Sequence, residues 1–184
     1  MLNVIAGTAG GLKLKTTDSD KTKPTLGRVK EAMFSMIADY LPGATVLDLF
    51  AGSGSLGIEA LSRGAEKCFF NDSNKSCCKI TEQNLAFTKL ISKATVSQYE
   101  FGMALDVYRK QKVVFDVVFL DPPYGMDYYS EVITGLQKRG LLRPNAIIIA
   151  EHTAERPLPE MRGLDIIKNK KYGTVAITVY LNRQ

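Results

Sequence analysis

The alternation of two kinds of segment after Ala44 constrains the fold more than any other feature of the sequence. Short runs rich in β-branched and aromatic residues alternate with segments of helical periodicity. This pattern is typical of a parallel sheet covered by helices. The predicted strands are residues 45–50, 67–71, 94–98, 115–120 and 146–150, and the predicted helices are 56–63, 75–89, 103–110 and 129–138.

The two ends of the chain depart from this alternation. Residues 164–170 and 174–181 flank Tyr172 and Gly173, which predicts a C-terminal antiparallel hairpin. At the other end, residues 2–6 and 12–16 flank a glycine-rich turn, and a helical pattern follows Pro24. We therefore predict an N-terminal hairpin and helix over residues 1–42. Residues 43–184 should form an α/β domain with a mixed, mostly parallel sheet.

Composition narrows the classes of function. A chain of 184 residues with 45% hydrophobic content can bury one good core but hardly two. Its net charge of +5 suits an anionic partner and favours nucleic acid only weakly. Cys68, Cys77 and Cys78 lack CxxC spacing and His152 is the sole histidine, so we predict reduced thiols and no metal site. Without a targeting or spanning segment, we expect a cytoplasmic protein with no membrane partner. We also expect a monomer.

A glycine loop follows the first predicted strand of the α/β domain. In "LDLFAGSGSLG", Asp48 precedes Gly52, Gly54 and Gly57, and Asp72 lies 20 residues beyond Gly52. This GxGxxG spacing also fits a dinucleotide site. However, a carboxylate before the loop opposes a pyrophosphate and attracts the sulfonium and ammonium groups of S-adenosylmethionine. The sequence therefore favours S-adenosylmethionine. The alternative is that the glycines only form a tight turn between strand and helix, which Asp48 stabilises.

A second motif, "DPPY", ends the strand predicted at residues 115–120. Prolines hold Asp121 and Pro122 out of helical conformation and fix the direction of the Pro122 carbonyl. A carboxylate and a carbonyl that accept the two N–H groups of a nucleobase amine would aim the nitrogen lone pair at a methyl group. Tyr124 could stack on the extruded base. The alternative is an ordinary strand end with a Pro-Pro turn.

Four segments together resemble one enzyme family. They are "VIAGTAGGLKL", "KPTLGRVKEAMFSMI", "LDLFAGSGSLGIEALSRGA" and "FLDPPY". The chain is similar over nearly its whole length to the bacterial 16S ribosomal RNA guanine-N2 methyltransferases of the RsmD type, which methylate guanine 966. The resemblance implies a Rossmann-like fold that binds S-adenosylmethionine. It also implies that 16S ribosomal RNA, or the assembling small ribosomal subunit, is the partner.

The resemblance assigns roles to residues by position. It implies that the target guanine is held by the DPPY residues, that the cofactor is held around the glycine loop and the following strand ends, and that RNA is contacted from the N-terminal segment. The residues expected to hold the guanine are Asp121, Pro122, Pro123 and Tyr124. Those expected to hold the cofactor are Asp48, Phe50, Ala51, Gly52, Ser53, Gly54, Asn71, Asp72, Glu100 and Phe101. Those expected to contact RNA are Lys13, Thr25 and Arg28.

The sequence departs from the family pattern at three places. Gly27 stands where an acidic residue is frequent, and Leu12 stands where an arginine is frequent. The second strand commonly ends in Glu, and here Asn71 is followed by Asp72. Either Asp72 binds the ribose or the affinity for the donor is set elsewhere. Glu151 is a further candidate carboxylate at the end of the fifth strand.

Three other functions remain open at the level of sequence. A methyltransferase acting on DNA adenine or cytosine would use the same amine geometry. A noncatalytic RNA-binding module would use the basic surface alone. A nicotinamide-dependent oxidoreductase would use the glycine loop for a dinucleotide.

Overall fold

The computed structural model describes residues 2–17, 26–122 and 128–183. Thr25, Pro123 and Tyr124 lie outside these residues. Within them, seven strands form one sheet with the order β3-β2-β1-β4-β5-β7-β6. The strands are β1 (Thr45–Asp48), β2 (Lys67–Asn71), β3 (Ala94–Ser97), β4 (Phe115–Leu120), β5 (Leu142–Thr153), β6 (Leu164–Tyr172) and β7 (Val175–Asn182). The helices are α1 (Leu26–Met36), α2 (Ser55–Ser62), α3 (Lys75–Phe87), α4 (Phe101–Lys110) and α5 (Tyr129–Lys138).

The sheet is mixed, as predicted. Strands β1 to β5 are parallel, and β7 is antiparallel to both β5 and β6. The chain first builds outward from β1 through β2 to β3 and then returns to place β4 on the other side of β1. The order of the strands therefore reverses between β1 and β4, which is where open α/β sheets bind ligands.

Each face of the sheet is covered by a different group of helices. Alternate strand residues such as Val46 and Phe119 pack with α1, α2 and α3, while Leu47 and Val118 pack with α4 and α5. These strands are buried on both faces, which explains why they read as continuous apolar runs.

Five of the seven described strands differ from the predicted bounds: β3, β6 and β7 by one or two residues, β1 at its end and β5 at both ends. β1 ends at Asp48. The prediction extended it to residue 50 because the apolar run continues through Leu49 and Phe50. β5 extends to Thr153, because Glu151, His152 and Thr153 keep pairing with β7 up to Val175. The apolar run alone ended at Ala150. Antiparallel pairing with a distant strand cannot be read from local periodicity.

The N-terminal hairpin is shorter than the sequence indicated. Asn3 and Lys13 form one isolated antiparallel bridge, and the Val4 N–H donates to the Leu12 carbonyl over 2.9 Å. The Leu14 N–H also donates to the Leu2 carbonyl over 2.9 Å, and the next backbone groups, the N–H and carbonyl of Lys15, bind the side-chain amide of Asn84 in α3 at 2.8 and 3.0 Å. The backbone of Lys15 is thus paired with a helix side chain and not with the opposite segment of the hairpin.

A buried charged group joins the N-terminal segment to α1 and α2. The Glu59 carboxylate is fully buried and accepts hydrogen bonds from the Ile5 N–H at 2.7 Å and from Arg63 Nε at 2.7 Å. The Lys30 ammonium lies 3.2 Å from Glu59 Oε2 and donates to the Asn3 carbonyl over 2.7 Å. Burial lowers the pKa of Lys30, and the Glu59 carboxylate opposes that shift.

We predict that Glu59→Gln destabilises the fold strongly. The amide can still accept one backbone N–H, but it leaves the Lys30 ammonium buried without its counter-charge. The free energy of unfolding should fall by about 3–5 kcal/mol, measured by urea denaturation. Asp165→Asn is the matched control, since its pair with Arg183 is more than half exposed and contributes about 0–1 kcal/mol. The double variant Lys30→Met/Glu59→Gln should lose less than Glu59→Gln alone. Equal losses in Glu59→Gln and Asp165→Asn would contradict this account.

Candidate functional site

The two predicted motifs lie on either side of the point where the strand order reverses. The glycine loop follows β1, and Asp121 with Pro122 follows β4. β1 and β4 are neighbours in register, with Asp48 opposite Phe119. Both motifs therefore emerge at the carboxyl edge of the sheet beside one crevice, as the sequence predicted.

Three glycines of the loop have separate structural reasons. Gly52 has φ +53°, and a Cβ there would meet no atom within 4 Å, so its surface is open to a ligand. Gly54 has φ +77°, and a Cβ there would lie 2.8 Å from Thr81 Cγ2. Gly57 packs against β2, because a Cβ there would lie 2.2 Å from Phe70 Cε1. Only Gly52 leaves room for something to approach.

Asp48 lies beneath the loop rather than on its surface. Its side chain is buried, and Oδ2 accepts a hydrogen bond from the Gly57 N–H over 2.9 Å. The carboxylate thus stabilises the first turn of α2, where a negative charge is favourable. Burial and, secondarily, Asp48 raise the pKa of the adjacent Cys68 thiol well above its ordinary value, which keeps that thiol protonated.

The end of β2 separates the two residues that the sequence left as alternatives. Asn71 is buried and its amide is fully engaged: Nδ2 donates to the carbonyls of Leu49 and Tyr99, and Oδ1 accepts from Ser97 Oγ and from the Tyr99 N–H. Ser97 Oγ also contacts the hydroxyl of Tyr108, whose pKa burial raises to about 12. Asn71 therefore joins the ends of three strands.

Asp72 is half-buried and lies directly against the glycine loop. Its Oδ2 accepts the Gly52 N–H over 2.9 Å, and its Oδ1 accepts the Asn74 N–H over 2.8 Å. Its carboxylate thus stays partly exposed beside the glycine loop, while the Asn71 amide is used within the edge of the sheet.

Two α3 side chains that sequence reasoning missed hold the rest of the loop. Thr81 Oγ1 donates to the Gly52 carbonyl over 3.0 Å, and Asn84 Nδ2 donates to the Ser53 carbonyl over 2.9 Å. The Ala51 N–H donates to the Asn71 carbonyl over 2.9 Å. The available signal was the pair of polar residues, three positions apart, on the apolar face of α3.

Three half-buried aromatic rings lie at the carboxyl edge of the sheet and pack on the α4–α5 side. The Phe101 ring lies 6.2 Å from the Phe50 ring and 5.1 Å from the Tyr128 ring, centre to centre. Phe101 is the first residue of α4, and the exposed Glu100 precedes it. The sequence predicted Phe50, Glu100 and Phe101 at the site, whereas Tyr128 was not predicted there.

The end of β4 brings two carboxylates to neighbouring positions. Leu120 pairs with Ala150, so Asp121 and Glu151 follow at the same level of adjacent strands. Asp121 is half-buried, Pro122 is buried and Glu151 is 9% exposed.

The remaining expectations concern RNA, metal and membrane. Lys13 and Arg28 are exposed, on the N-terminal segment and the first turn of α1. In the described part of the chain, no group of three His, Cys, Asp or Glu side chains could hold a metal ion. No described helix is long and apolar enough to span a bilayer.

A cavity of about 760 Å³ beside Asp165 and Arg183 lies at the amino edge of the parallel strands, away from the crevice.

We predict that Asn71→Asp destabilises the protein although it is nearly isosteric. A carboxylate cannot donate to the Leu49 and Tyr99 carbonyls, so each loses its partner at a cost of about 1–3 kcal/mol. Asp72→Asn is the matched control, because its Oδ1 can still accept the Gly52 N–H. Urea unfolding should show a clearly lower midpoint for Asn71→Asp than for Asp72→Asn. The same midpoint in both variants would refute the structural role of Asn71.

Comparison with known proteins places this site in a family. The family described as "Conserved hypothetical protein 95" matches residues 2–181. The chain is 38% identical to "Putative rRNA methyltransferase YlbH" of Bacillus subtilis (strain 168), over 99% of this chain and 100% of the relative. It is 35% identical to "Ribosomal RNA small subunit methyltransferase D" of Haemophilus influenzae, over 98% of this chain and 94% of the relative.

A solved structure agrees with the fold. The structure of "Putative methyltransferase yhhF from Escherichia coli" has a TM-score of 0.87 and 32% identity, and the match covers 99% of this chain and 98% of that one. The similarity therefore extends through the N-terminal segment, the sheet and the C-terminal hairpin.

Proposed function

The chain belongs to the family described as Conserved hypothetical protein 95, and from this membership we propose that it is an S-adenosylmethionine-dependent ribosomal RNA methyltransferase. We further propose that it modifies the exocyclic N2 amine of a guanine in 16S ribosomal RNA, at position 966. The names of the relatives support the class of reaction and substrate. The base and its position rest on the motifs shared with the RsmD type.

One observation supports this function above the others. The parallel register of β1 and β4 means that the glycine loop and Asp121 follow neighbouring strands at the same edge of the sheet. A methyl donor bound over Gly52 and an amine bound at Asp121 would then meet across the reversal of strand order. Neither motif alone would support methyl transfer, because each also occurs in simple turns.

The residues of the chain suggest how each reactant is held. When bound, S-adenosylmethionine would supply an electrophilic methyl group: the carbon–sulfur bond breaks as the amine nitrogen bonds to the methyl carbon, the sulfur keeps the bonding pair, and the nitrogen releases one proton to solvent. The open face of Gly52 admits the donor, and the Asp72 carboxylate suits ribose hydroxyls. Phe50 and Phe101 offer apolar surface to the adenine. The carboxylates of Asp48 and Asp72 give the loop a negative environment that attracts the cationic donor.

Asp121 and Pro122 would act on the acceptor. The lone pair of a nucleobase amine is delocalised into the ring, so the nitrogen is a poor nucleophile. A carboxylate oxygen and a fixed carbonyl that accept its two N–H groups increase its electron density and orient it. The half-buried position of Asp121 suits this role, since partial burial strengthens hydrogen bonds without closing access.

We predict that Asp121→Ala nearly abolishes methyl transfer and spares the donor site. Loss of one oriented acceptor should lower kcat by about 100- to 1,000-fold, measured with radiolabelled S-adenosylmethionine and unmethylated 16S RNA. Calorimetry with S-adenosylhomocysteine should give a Kd within about threefold of the unaltered protein. Asp116→Ala, at the other end of β4, is the control and should keep its activity. Equal loss of transfer and donor binding in Asp121→Ala would refute this division of roles.

We predict the opposite pattern for Asp72→Asn. The amide still supports the Gly52 N–H but brings no charge to the ribose, so the affinity for S-adenosylhomocysteine should fall by about five- to tenfold. Once saturated with donor, the variant should retain most of its kcat, unlike Asp121→Ala. An unchanged affinity would remove Asp72 from the donor site.

Methyl transfer measured in parallel with RNA and DNA acceptors would test which nucleic acid is the substrate.

A further inference from the structure

One helix and the turn that follows it carry more lysines than acidic residues. Residues 73–93 contain four lysines and one glutamate, a net charge of +3, whereas the whole chain has +5. We propose that the exposed face of α3 is a docking surface for a single-stranded segment of the RNA substrate. This proposal rests on the proposed function and adds a contact surface that the glycine and DPPY motifs do not define.

The residues of this surface form a single row, which we call the α3 row. Lys75, Lys79, Gln83 and Phe87 follow one another at intervals of four residues, so their side chains are neighbours along one side of the helix. All four are exposed. Lys15 joins the row from the N-terminal segment, because its Nζ donates to Gln83 Oε1 over 2.8 Å.

Phe87 distinguishes the α3 row from an ordinary solvated face. Its side chain is 57% exposed, while the buried face of α3 is formed by other residues, among them Thr81, Asn84 and Leu85. The core therefore does not require a phenyl ring at this position. An exposed ring beside lysines matches the combination that binds single-stranded nucleic acid, in which cations contact phosphates and aromatic rings stack on bases.

A second lysine-rich surface has a simpler explanation. Lys168, Lys170 and Lys171 lie on β6, which is the last strand of the sheet, and lysines on an edge strand prevent unwanted pairing with other chains. No such requirement applies to α3. The β6 lysines thus provide a matched control for charge at the other end of the sheet.

The α3 row is mechanically connected to the candidate site. The buried face of α3 binds the glycine loop through Thr81 and Asn84, and its first turn follows Asp72. RNA bound along the exposed face would thus lie against the same helix that supports the loop. An acidic protein of the ribosomal particle could also use the lysines, and the binding measurements below distinguish that partner from free RNA.

The test compares Lys75→Gln/Lys79→Gln with Lys168→Gln/Lys170→Gln. Both double variants remove two exposed charges. Binding to unmethylated 16S RNA is measured over a series of salt concentrations, together with KM for RNA and Kd for S-adenosylhomocysteine. The α3 variant should raise Kd and KM for RNA, reduce the slope of log K against log salt by about 1.4, and keep its affinity for S-adenosylhomocysteine. The β6 variant should match the unaltered protein.

Phe87→Ala tests the stacking contact separately. RNA affinity should fall by about 5- to 150-fold with little change in the salt slope. Phe87→Leu, which stays apolar but cannot stack, should show most of the same loss. Thermal unfolding checks that both variants fold, as expected for a side chain that the core does not use.

Three outcomes would overturn the proposal. The first is an α3 double variant with the salt slope and KM of the unaltered protein. The second is full RNA affinity in Phe87→Leu. The third is an unchanged affinity for free RNA with weakened binding only to reconstituted small-subunit particles, which would assign the surface to a ribosomal protein. If the unaltered protein transfers no methyl group to 16S RNA, the proposed function itself fails, and that result is distinguishable from all three.

Discussion

The backbone of residues 51–54 turns sharply between β1 and α2, so its polar groups cannot all be paired within a strand or a helix. Side chains and backbone from other elements pair them instead. Asp72 accepts the Gly52 N–H, Thr81 and Asn84 donate to the carbonyls of Gly52 and Ser53, and the Asn71 carbonyl accepts the Ala51 N–H. The loop is thereby fixed before any ligand binds, which reduces the entropy that binding has to overcome.

The same interactions make the N-terminal segment part of the site. Asn84 binds Lys15 and Ser53 with one side-chain amide, so the N-terminal segment and the glycine loop share an anchor. Lys30 makes a second connection, since its ammonium contacts the Ser55 hydroxyl at the start of α2 as well as Glu59. A displacement of the N-terminal segment would therefore strain the glycine loop. Any surface on the N-terminal segment is likewise held at a fixed position relative to the loop.

Sequence reasoning succeeded where local signals determine structure. The bounds of β2, β4 and α5 were predicted to the residue, because clear apolar periodicity ends there at polar or turn residues. It could not choose between Asn71 and Asp72, since the choice depends on carbonyls of Leu49 and Tyr99 that are distant in sequence. Lys30 and Glu59 resemble surface charges in the sequence, and their burial follows only from packing. The fold class was confirmed, whereas the roles of the site residues stay predictions.

The distribution of hydrogen bonds also decides between two ligands that share the glycine motif. A dinucleotide pyrophosphate binds such a loop through free N–H groups near the start of the helix. Here the Gly52 and Gly57 N–H groups already donate to the carboxylates of Asp72 and Asp48. A phosphate would lose those donors and would be repelled by two negative charges. A sulfonium would be attracted by the same charges. Bracing the loop and attracting a cation are thus two consequences of one carboxylate arrangement.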